Sequence, residues 1–257
     1  MTEPGRSVDA FHRGGFHVVQ PTDRGHRSGM DAMMLAAAVP NNFGGTLADL
    51  GAGAGAAGLA VASRCPASRV VLVEKSTEMA AFARETLALS SNSHLAGRAE
   101  VVEADVALAG RARVGAGLAD ASFDFAIMNP PFNAARDRAT PDLLKQSAHI
   151  MAPDLFESWI RTAAAIVRPR GGLALIARPD SLEAVLAAVK GRFGDCRIVP
   201  VLPRADKPAI RIILRGERGS RKALSLEPPL ILHNASGHGH AARADDVCNG
   251  RASLFGD

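Results

Sequence analysis

The sequence predicts an α/β fold, with a mostly parallel sheet covered by helices on both faces. From residue 46 onward, short apolar runs typical of strands alternate with longer segments whose apolar residues recur at helical spacing. A glycine-rich loop follows the first of these strands. The last two apolar runs are about seven residues apart, which is too short for a helical crossover. We therefore expect them to pair as an antiparallel hairpin.

Composition supports a globular protein. The chain has 257 residues, of which 47% are hydrophobic and 22% are charged, and its length allows one or two domains. Its apolar runs are far shorter than the roughly 18 residues of a membrane span, and residues 1–10 lack the apolar core of a secretory signal. The three cysteines, Cys65, Cys196 and Cys248, are too widely spaced for a disulfide framework or a zinc knuckle. We expect a cytoplasmic protein with no membrane association and no metal.

A short leader precedes the alternating region. Residues 17–20 are apolar enough for a short strand. Ser28 followed by Asp31 resembles a capping box that begins a helix reaching Ala38. The segment from Pro40 to Gly45 ends this helix.

Seven strands and four helices are predicted after the leader. The strands are expected at residues 46–50, 69–74, 99–103, 123–128, 172–177, 198–202 and 210–214. The helices are expected at residues 56–64, 77–90, 155–167 and 182–193. Trp159 lies on the apolar face of the third of these helices, so we expect it in the core. Residues from 225 onward have the composition of a loop, and His233, His238 and His240 are expected to belong to a flexible tail rather than to a metal site.

The glycine loop predicts a site for an adenosine cofactor. Residues 53–58, Gly-Ala-Gly-Ala-Ala-Gly, match the GxGxxG pattern, and Glu74 lies at the distance along the chain expected for a ribose-binding carboxylate. Asp49 would repel a pyrophosphate, but it suits a cationic methionine end with an ammonium group. Asp105, after the third strand, can accept a hydrogen bond from an adenine amino group. These three acids favour a cofactor other than NAD.

Asn129-Pro-Pro-Phe132 is the most specific motif in the chain. Because prolines have no N–H, backbone carbonyls and the Asn129 side-chain oxygen can face a substrate NH2 group as acceptors. Two acceptors favour a tetrahedral nitrogen and free its delocalised lone pair. Phe132 offers a planar face for stacking and tolerates a nearby sulfonium cation. The motif predicts transfer of a group to an amine.

Residues 49–55 (Asp-Leu-Gly-Ala-Gly-Ala-Gly), Glu74, Asp105 and Asn129-Pro-Pro-Phe132 resemble the motifs of class I S-adenosylmethionine (SAM) methyltransferases that modify amino nitrogens. Among these, the chain is most similar to the tRNA adenine-N6 methyltransferases that act on valine tRNA beside the anticodon. Residues 24–32 resemble the N-terminal Gly-x-Arg-x-Gly-x-Asp-Ala segment of that family, and Ala139-Thr-Pro141 resembles its substrate-side loop. The resemblance spans about residues 14–216 and leaves the tail unexplained.

The resemblance implies a single Rossmann-like methyltransferase domain. It implies a leader over residues 1–45 that closes the cofactor site, a SAM-dependent methyltransferase domain over residues 46–222, and a C-terminal tail over residues 223–257. The sheet would have seven strands with an antiparallel last strand. The residues implied to hold SAM are Asp31, Asp49, Gly51, Gly53, Gly55, Glu74, Lys75, Asp105 and Val106. The residues implied to present the amine are Asn129, Pro130, Pro131 and Phe132.

Positive charge is concentrated near the end of the predicted sheet. The chain has a formal net charge of +4 and a pI near 9.3, yet residues 197–222 hold eight basic and two acidic residues. This asymmetry favours a nucleic-acid partner such as tRNA, although basic residues also protect edge strands from aggregation. The residues expected to bind the substrate are Arg136, Arg138, Lys145, Arg204 and Lys207.

Four other functions remain open from the sequence. Protein glutamine methyltransferases that act on release factors carry a similar motif, but usually with tyrosine in the last position and with a separate helical N-terminal domain. Ribosomal guanine-N2 methylation would use the same amine chemistry. A nicotinamide-dependent oxidoreductase would leave Asn129-Pro-Pro-Phe132 without a role, and a non-catalytic RNA-binding module would not turn over SAM.

Overall fold

The computed structural model describes residues 5–22, 27–131, 154–234 and 239–257. The chain begins with an antiparallel hairpin of β1 (Arg6–Phe11) and β2 (Phe16–Pro21), which forms its own two-stranded sheet. Helix α1 (Met30–Ala36) follows. The strand expected at residues 17–20 is thus confirmed within β2, whereas β1 was not predicted, because its alternating polar and apolar residues are mostly exposed or half-buried.

Strands and helices alternate through the central part of the chain. The elements in order are β3 (Thr46–Leu50), α2 (Ala56–Arg64), β4 (Arg69–Glu74), α3 (Thr77–Ala88), β5 (Ala99–Glu103), α4 (Gly110–Gly115), β6 (Phe123–Met128), α5 (Asp154–Ile166), β7 (Val167–Ala177), α6 (Leu182–Val189), β8 (Phe193–Leu202) and β9 (Arg211–Arg218). Two short strands, β10 (Ser225–Leu226) and β11 (Leu230–Ile231), and helix α7 (Ala242–Cys248) complete the chain. Every strand predicted from residue 46 onward is present.

The central sheet has the strand order β5-β4-β3-β6-β7-β9-β8. Strand β9 runs antiparallel to both of its neighbours, and the other pairings in the sheet are parallel. This confirms the mostly parallel sheet with an antiparallel last strand. The count differs from the expected seven strands, because β10 and β11 both add to the outer edge of β8 in parallel.

The carboxyl ends of the parallel strands meet at one edge of the sheet, which we call the carboxyl edge. Leu50 at the end of β3 lies between Val73 of β4 and Met128 of β6. Met128 in turn lies opposite Leu175 of β7. Because β9 is antiparallel, its first residue, Arg211, also lies at the carboxyl edge, and so does the loop between β8 and β9. Loops at this edge are where open α/β sheets bind ligands.

Alternate strand residues face two separate hydrophobic cores, as the two-residue period of a strand requires. In β6, Ile127 belongs to the core beneath α1 and α2, whereas Met128 belongs to the core beneath α5 and α6. Helices therefore cover both faces of the sheet, as predicted. None of the helices within the described residues is long and apolar enough to cross a membrane.

Side chains of the α3 region hold the N-terminal hairpin in place. Thr86 Oγ1 accepts a hydrogen bond from the Val19 backbone N–H at 2.9 Å. The fully buried Asn92 accepts from the His17 N–H at 2.9 Å and donates to the His17 carbonyl at 2.7 Å. Asn92 thus replaces a neighbouring strand for β2, so the buried backbone of the hairpin is satisfied.

The expectation of a loop-like tail is wrong. Leu230, Leu232, Val247 and Leu254 are buried in the same core as α1 and α2, and the Leu254 N–H donates to the Ala37 carbonyl at 2.7 Å. The tail has too few apolar residues for a recognisable helical or strand-like spacing. Its strands β10 and β11 form by pairing with β8, and α7 packs in the same core as α1. The division of the chain at residue 222 remains a prediction.

Two histidines of the tail, His233 and His240, have defined positions in the structure. His233 and His240 form an antiparallel bridge, and their rings lie 5.3 Å apart. His238 lies outside the described residues. No group of three histidine, cysteine, aspartate or glutamate side chains within the described residues is placed to hold a metal ion.

Local predictions failed at three further places. The N-cap of α1 is Gly29 without a side-chain cap bond, so the proposed capping box is wrong. The Ser28 N–H instead donates to Gln20 Oε1 at 2.6 Å. Helix α4, rich in glycine and arginine, was not predicted. Strands β7 and β8 each begin five residues earlier than expected, at Val167 and Phe193, because sheet pairing extends strands beyond their apolar runs.

Candidate active site

The glycine loop between β3 and α2 lies at the carboxyl edge. Gly51, Gly53 and Gly55 have φ angles of +75°, +57° and +92°, a backbone conformation that only glycine adopts at low cost. The N–H groups of Gly51 and Ala52 both donate to the Val73 carbonyl of β4, at 2.9 and 3.0 Å. The loop is therefore fixed to the neighbouring strand.

The glycines of this loop have different surroundings. A β-carbon on Gly55 or Gly58 would lie 2.8 or 2.6 Å from the Leu72 side chain, so both pack tightly against β4. A β-carbon on Gly53 would meet nothing nearer than the Met79 methyl at 3.8 Å. Gly53 is thus the glycine of these three whose backbone a ligand can approach closely.

Asp49 lies beneath the loop near the end of β3 and is only 3% exposed. Its Oδ2 accepts a hydrogen bond from the Gly58 N–H at 2.8 Å. Burial, together with the nearby charge of Glu74, raises the pKa of Asp49 to about 7, although the bond from Gly58 acts in the opposite direction. A cation placed beside Asp49 would favour its ionised form.

Glu74, at the end of β4, joins the glycine loop to the start of α3. Its two carboxylate oxygens accept hydrogen bonds from the Gly53 N–H at 2.9 Å and from the Ser76 N–H at 2.8 Å. The orientation of this carboxylate is therefore set by the backbone on both sides. Each oxygen keeps a further lone pair that can accept a ligand hydroxyl.

The next strand supplies the third acid. Asp105 follows β5 and is half-buried, and its Oδ1 accepts from the Ala107 N–H at 2.8 Å. Lys75 Nζ lies 4.0 Å from Asp105 Oδ2, and Val106 beside it is buried. The structure thus brings Asp49, Glu74 and Asp105 to one edge, as the alternating pattern predicted.

Asn129, Pro130 and Pro131 follow β6 directly, next to the glycine loop, because Met128 pairs with Leu50. Asn129 Oδ1 is buried and has no hydrogen-bond partner among the described residues. Pro130 is buried and Pro131 is exposed. Phe132, Arg136, Arg138 and Lys145 lie outside the described residues, so their predicted roles remain predictions.

The eight basic residues within 197–222, which we call the basic run, do not form an unpaired positive surface. Arg204 donates to the Asn234 carbonyl, Lys207 Nζ lies 3.1 Å from Asp206, and Arg211 Nε donates to Asp31 at 2.8 Å. Four further members of the run contact other parts of the chain, namely Arg197, Arg215, Arg218 and Lys222. The protein itself therefore neutralises most of the charge that the sequence analysis singled out.

Asp31 belongs to α1 and lies at the carboxyl edge through its contact with Arg211. Both side chains of this ion pair are about one-quarter exposed, at 27% and 23%. The pair connects the leader to the first residue of β9. Within the described part of the chain, Asp31 is bonded to Arg211 rather than to the glycine loop, so its role toward a cofactor stays a prediction.

Two residues at the glycine loop were missed by the sequence analysis as site residues. Met79 faces Gly53, and the Trp159 ring lies against Gly51. Trp159 is 8% exposed, which confirms its place in the core. Spacing along the chain carries no signal for either contact, since both depend on how α3 and α5 pack over the loop.

The residues present fit SAM. The backbone at Gly53 is open to close approach by a ligand. The carboxylate of Glu74, held by two backbone N–H groups, can accept the ribose hydroxyls of SAM. The buried carboxylate of Asp49 can pair with the ammonium group of SAM. The unpartnered Asn129 oxygen lies beside them at the end of the neighbouring strand. When bound, SAM supplies an electrophilic methyl group on its sulfonium. The fold and this site define a SAM-dependent methyltransferase.

Comparison with known proteins gives the family. Residues 27–201 match the sequence model of the methyltransferase small domain, and the chain belongs to that family. It is 28% identical over 217 residues to the tRNA1(Val) (adenine(37)-N6)-methyltransferase of Aeromonas hydrophila, covering 81% of this chain and 83% of the relative. The enzyme of the same name from Porphyromonas gingivalis is 28% identical over 223 residues, covering 82% and 83%.

Solved structures agree with the fold. A crystal structure from Agrobacterium tumefaciens, described as a predicted O-methyltransferase, is 43% identical with a TM-score of 0.77 and covers 87% of this chain and 98% of its own. A Thermus thermophilus 16S rRNA N2 G1207 methyltransferase, solved with AdoMet and guanosine, is 20% identical with a TM-score of 0.53 and covers 85% and 51%. The second likeness concerns the fold alone.

Proposed function

We propose that this methyltransferase modifies the exocyclic N6 amine of an adenosine in tRNA, near the anticodon. The observation that carries the proposal is the buried Asn129 Oδ1, which lacks a donor among the described residues. A buried oxygen without a donor costs about 1–3 kcal/mol, and a substrate N–H would satisfy it. Adenine N6 in tRNA is favoured because relatives matching over 81% of this chain carry that activity in their names.

The chemistry follows from the acceptors at the end of β6. Asn129 Oδ1 and a backbone carbonyl of the Pro130 region accept the two hydrogens of the amine, because the prolines offer no competing N–H. This draws the nitrogen lone pair out of the purine ring. With SAM bound, this lone pair would attack the methyl carbon, so a C–N bond would form while the C–S bond breaks and S-adenosylhomocysteine leaves. The alkylated nitrogen would carry a positive charge and release its proton to solvent water, so no strong base is needed beforehand.

The cofactor is bound by the acidic part of the edge in this proposal. Asp49 faces the ammonium group, Glu74 the ribose hydroxyls and Asp105 the adenine amino group. The backbone at Gly51, Gly53 and Gly55 allows the close approach. Lys75 and Val106 flank the adenine, and Asp31 helps to close the site.

The substrate is bound by the basic part of the edge. Arg204 and Lys207, with Arg136, Arg138 and Lys145, contact phosphates on either side of the target base. A base in a folded loop can be splayed out of its stack at low cost, which lets its amine reach Asn129. tRNA modification of this kind is consistent with a cytoplasmic protein.

An amine acceptor fits this site better than a hydroxyl. A hydroxyl donates one hydrogen bond, whereas an amine donates two, and the motif offers at least two acceptors. The Agrobacterium tumefaciens structure is described as a predicted O-methyltransferase, so the acceptor atom needs a direct test.

The test is methylation of defined substrates by the purified protein. Unmodified total tRNA, ribosomal RNA and a release factor are each incubated with SAM carrying a labelled methyl group, and the resulting nucleosides or peptides are analysed by mass spectrometry. We expect labelled N6-methyladenosine. Label in guanine N2 of ribosomal RNA, or in glutamine of a release factor, would establish an alternative substrate, and no label in any of them would overturn the proposal.

A matched pair of variants tests the role of Asn129. Asn129→Ala should lower methyl transfer about 100-fold or more, since positioned polar groups contribute that much to transition-state stabilisation. SAM affinity should stay within about twofold. Asn42→Ala is the control, because Asn42 is exposed in the loop before β3 at the opposite edge of the sheet. Equal activity of both variants would contradict the role of Asn129.

A further inference from the structure

Helix α5 contacts the two ends of the cofactor cleft through one face. The Trp159 ring lies against Gly51, so closely that a β-carbon on Gly51 would overlap ring atom Cη2 and lie 2.9 Å from Cζ3. One turn later, Thr162 Oγ1 donates to the Val106 carbonyl at 2.7 Å. Residues three apart lie on the same face of a helix, so a single face contacts both loops.

The two contacts are buried and act on backbone. Trp159 is 8% exposed and Thr162 is 2% exposed. Gly51 is also bonded to β4 through its N–H, which donates to the Val73 carbonyl at 2.9 Å. The backbone of Gly51 is therefore held by β4 and by the indole of Trp159. Removal of either support leaves this part of the loop less constrained.

Space remains beside Gly53, in the same loop as Gly51. Among the described residues, the Met79 methyl is the nearest group that a β-carbon on Gly53 would meet, at 3.8 Å. The distance between the Gly51 loop and the Val106 loop sets the length of ligand that fits. The strands β3, β4 and β5 that carry these loops set most of that length. Since α5 touches both loops, its position adjusts it further.

We propose that Trp159 and Thr162 are positioning residues that hold the methionine end and the adenine end of the SAM cleft at the correct separation. Trp159 acts through Gly51, and Thr162 acts through the Val106 carbonyl. The inference rests on the proposed placement of SAM along the acidic part of the edge. It does not depend on the identity of the methyl acceptor.

Two conservative variants remove the contacts selectively. Trp159→Phe keeps a buried aromatic ring but lacks the outer indole carbons that contact Gly51. Thr162→Val keeps a similar volume but removes the hydroxyl donor, and Thr162→Ser restores it. Ile160→Val is the control, because Ile160 is a fully buried residue of the same helix and loses one methylene.

The measurement compares two ligands by calorimetry. S-adenosylhomocysteine occupies the whole cleft, whereas 5′-methylthioadenosine lacks the amino-acid end. Trp159→Phe should weaken S-adenosylhomocysteine about tenfold and 5′-methylthioadenosine less than about twofold. Thr162→Val should weaken both ligands about fivefold, and Thr162→Ser and Ile160→Val should change neither by more than about twofold.

A second measurement uses the wild-type chain, whose only tryptophan is Trp159. Saturation with S-adenosylhomocysteine should change its fluorescence emission, even if a variant fails to fold. Unchanged emission, equal losses for the two ligands in Trp159→Phe, or equal losses in Ile160→Val would overturn the inference. If the variants bind the two ligands as expected but the protein does not methylate tRNA, only the proposed function is contradicted. If the protein does not bind S-adenosylhomocysteine at all, both the proposed function and this inference lose their basis.

Discussion

The carboxyl edge has an acidic half and a half rich in paired basic side chains, and the side chains of the two halves are held in different ways. At the ends of β3, β4 and β5, the acids Asp49, Glu74 and Asp105 accept hydrogen bonds from backbone N–H groups close to them, in the first turn of α2, in the glycine loop and after β5. On β9 and the loop before it, Arg211 and Arg204 contact groups far away in the sequence, Asp31 and the Asn234 carbonyl. The neutral Asn129-Pro130 segment lies on β6, between the two halves.

This difference separates a fixed site from an adaptable one. Backbone donors hold the acids in one orientation, so little ordering is needed when a small cofactor binds. A long basic side chain held by a neutral carbonyl, such as Arg204, can exchange that partner for a phosphate without leaving a carboxylate unpaired. The acidic half is therefore expected to determine cofactor affinity, and the basic half the salt-dependent affinity for tRNA.

Removing the buried acid should have the largest effect. Asp49→Ala is expected to weaken SAM binding about 100-fold, because loss of one partner of a buried charge pair costs about 2–5 kcal/mol. It also leaves the Gly58 N–H without its acceptor. Calorimetry with SAM measures the change, with Glu100→Ala, which removes an exposed carboxylate from β5, as the charge-matched control. Similar affinity for both variants would mean that the acidic half does not hold the cofactor.

Charge removal on the basic half should act on tRNA alone. The double variant Arg204→Ala/Lys207→Ala is expected to weaken tRNA binding about tenfold at low salt and to reduce the salt slope by about 2, since each phosphate contact releases about one counterion. Lys190→Ala/Arg221→Ala removes the same charge from exposed positions at the opposite edge. Filter binding over a salt series distinguishes the two. If the control weakens tRNA binding equally, net charge rather than a defined surface is responsible.

Cofactor affinity should depend on pH through Asp49. Burial raises the pKa of Asp49 to about 7, whereas the ammonium group of SAM prefers the ionised carboxylate, so protons and SAM compete. Affinity should fall about fivefold from pH 7 to pH 6. In the ligand-free protein the raised pKa also means that the free energy of unfolding decreases as pH rises from about 4 to about 7. Asp49→Asn should abolish the fall in SAM affinity below pH 7 and the matching change in the free energy of unfolding. If the variant keeps either pH dependence, another group titrates.

The smallest effect is expected where the leader meets the basic half. Asp31→Asn and Arg211→Met should each raise the KM for SAM about threefold, as expected for a partly exposed ion pair worth about 1 kcal/mol or less. The double variant should be no worse than either single variant, because both break one contact. Additive losses in a double-mutant cycle would indicate that Asp31 and Arg211 act separately.

Prediction from the sequence succeeded where the pattern was local. Strand and helix alternation gave the sheet, and the acids at strand ends were expected at one edge and are found there. The prediction for the tail failed, because Leu230 and Leu254 belong to no helical or strand-like spacing of apolar residues. They are buried only because they pack against β8 and α1. The basic run was misleading for a related reason, since the partners of Arg211 and Arg215 lie 180 and 42 residues away.

The sequence by itself determined which chemical groups follow which strand: a glycine loop after β3, an acid at or just after the end of each of the next two strands, and the Asn129-Pro-Pro-Phe132 motif after β6. These features follow from residue type and from the rule that parallel strands end at one edge. Tertiary structure alone decided that Asn129 Oδ1 is left without a donor among the described residues, that Trp159 lies on Gly51 and that most of the basic run is neutralised. Each depends on burial or on contacts between distant segments, which spacing along a chain does not encode.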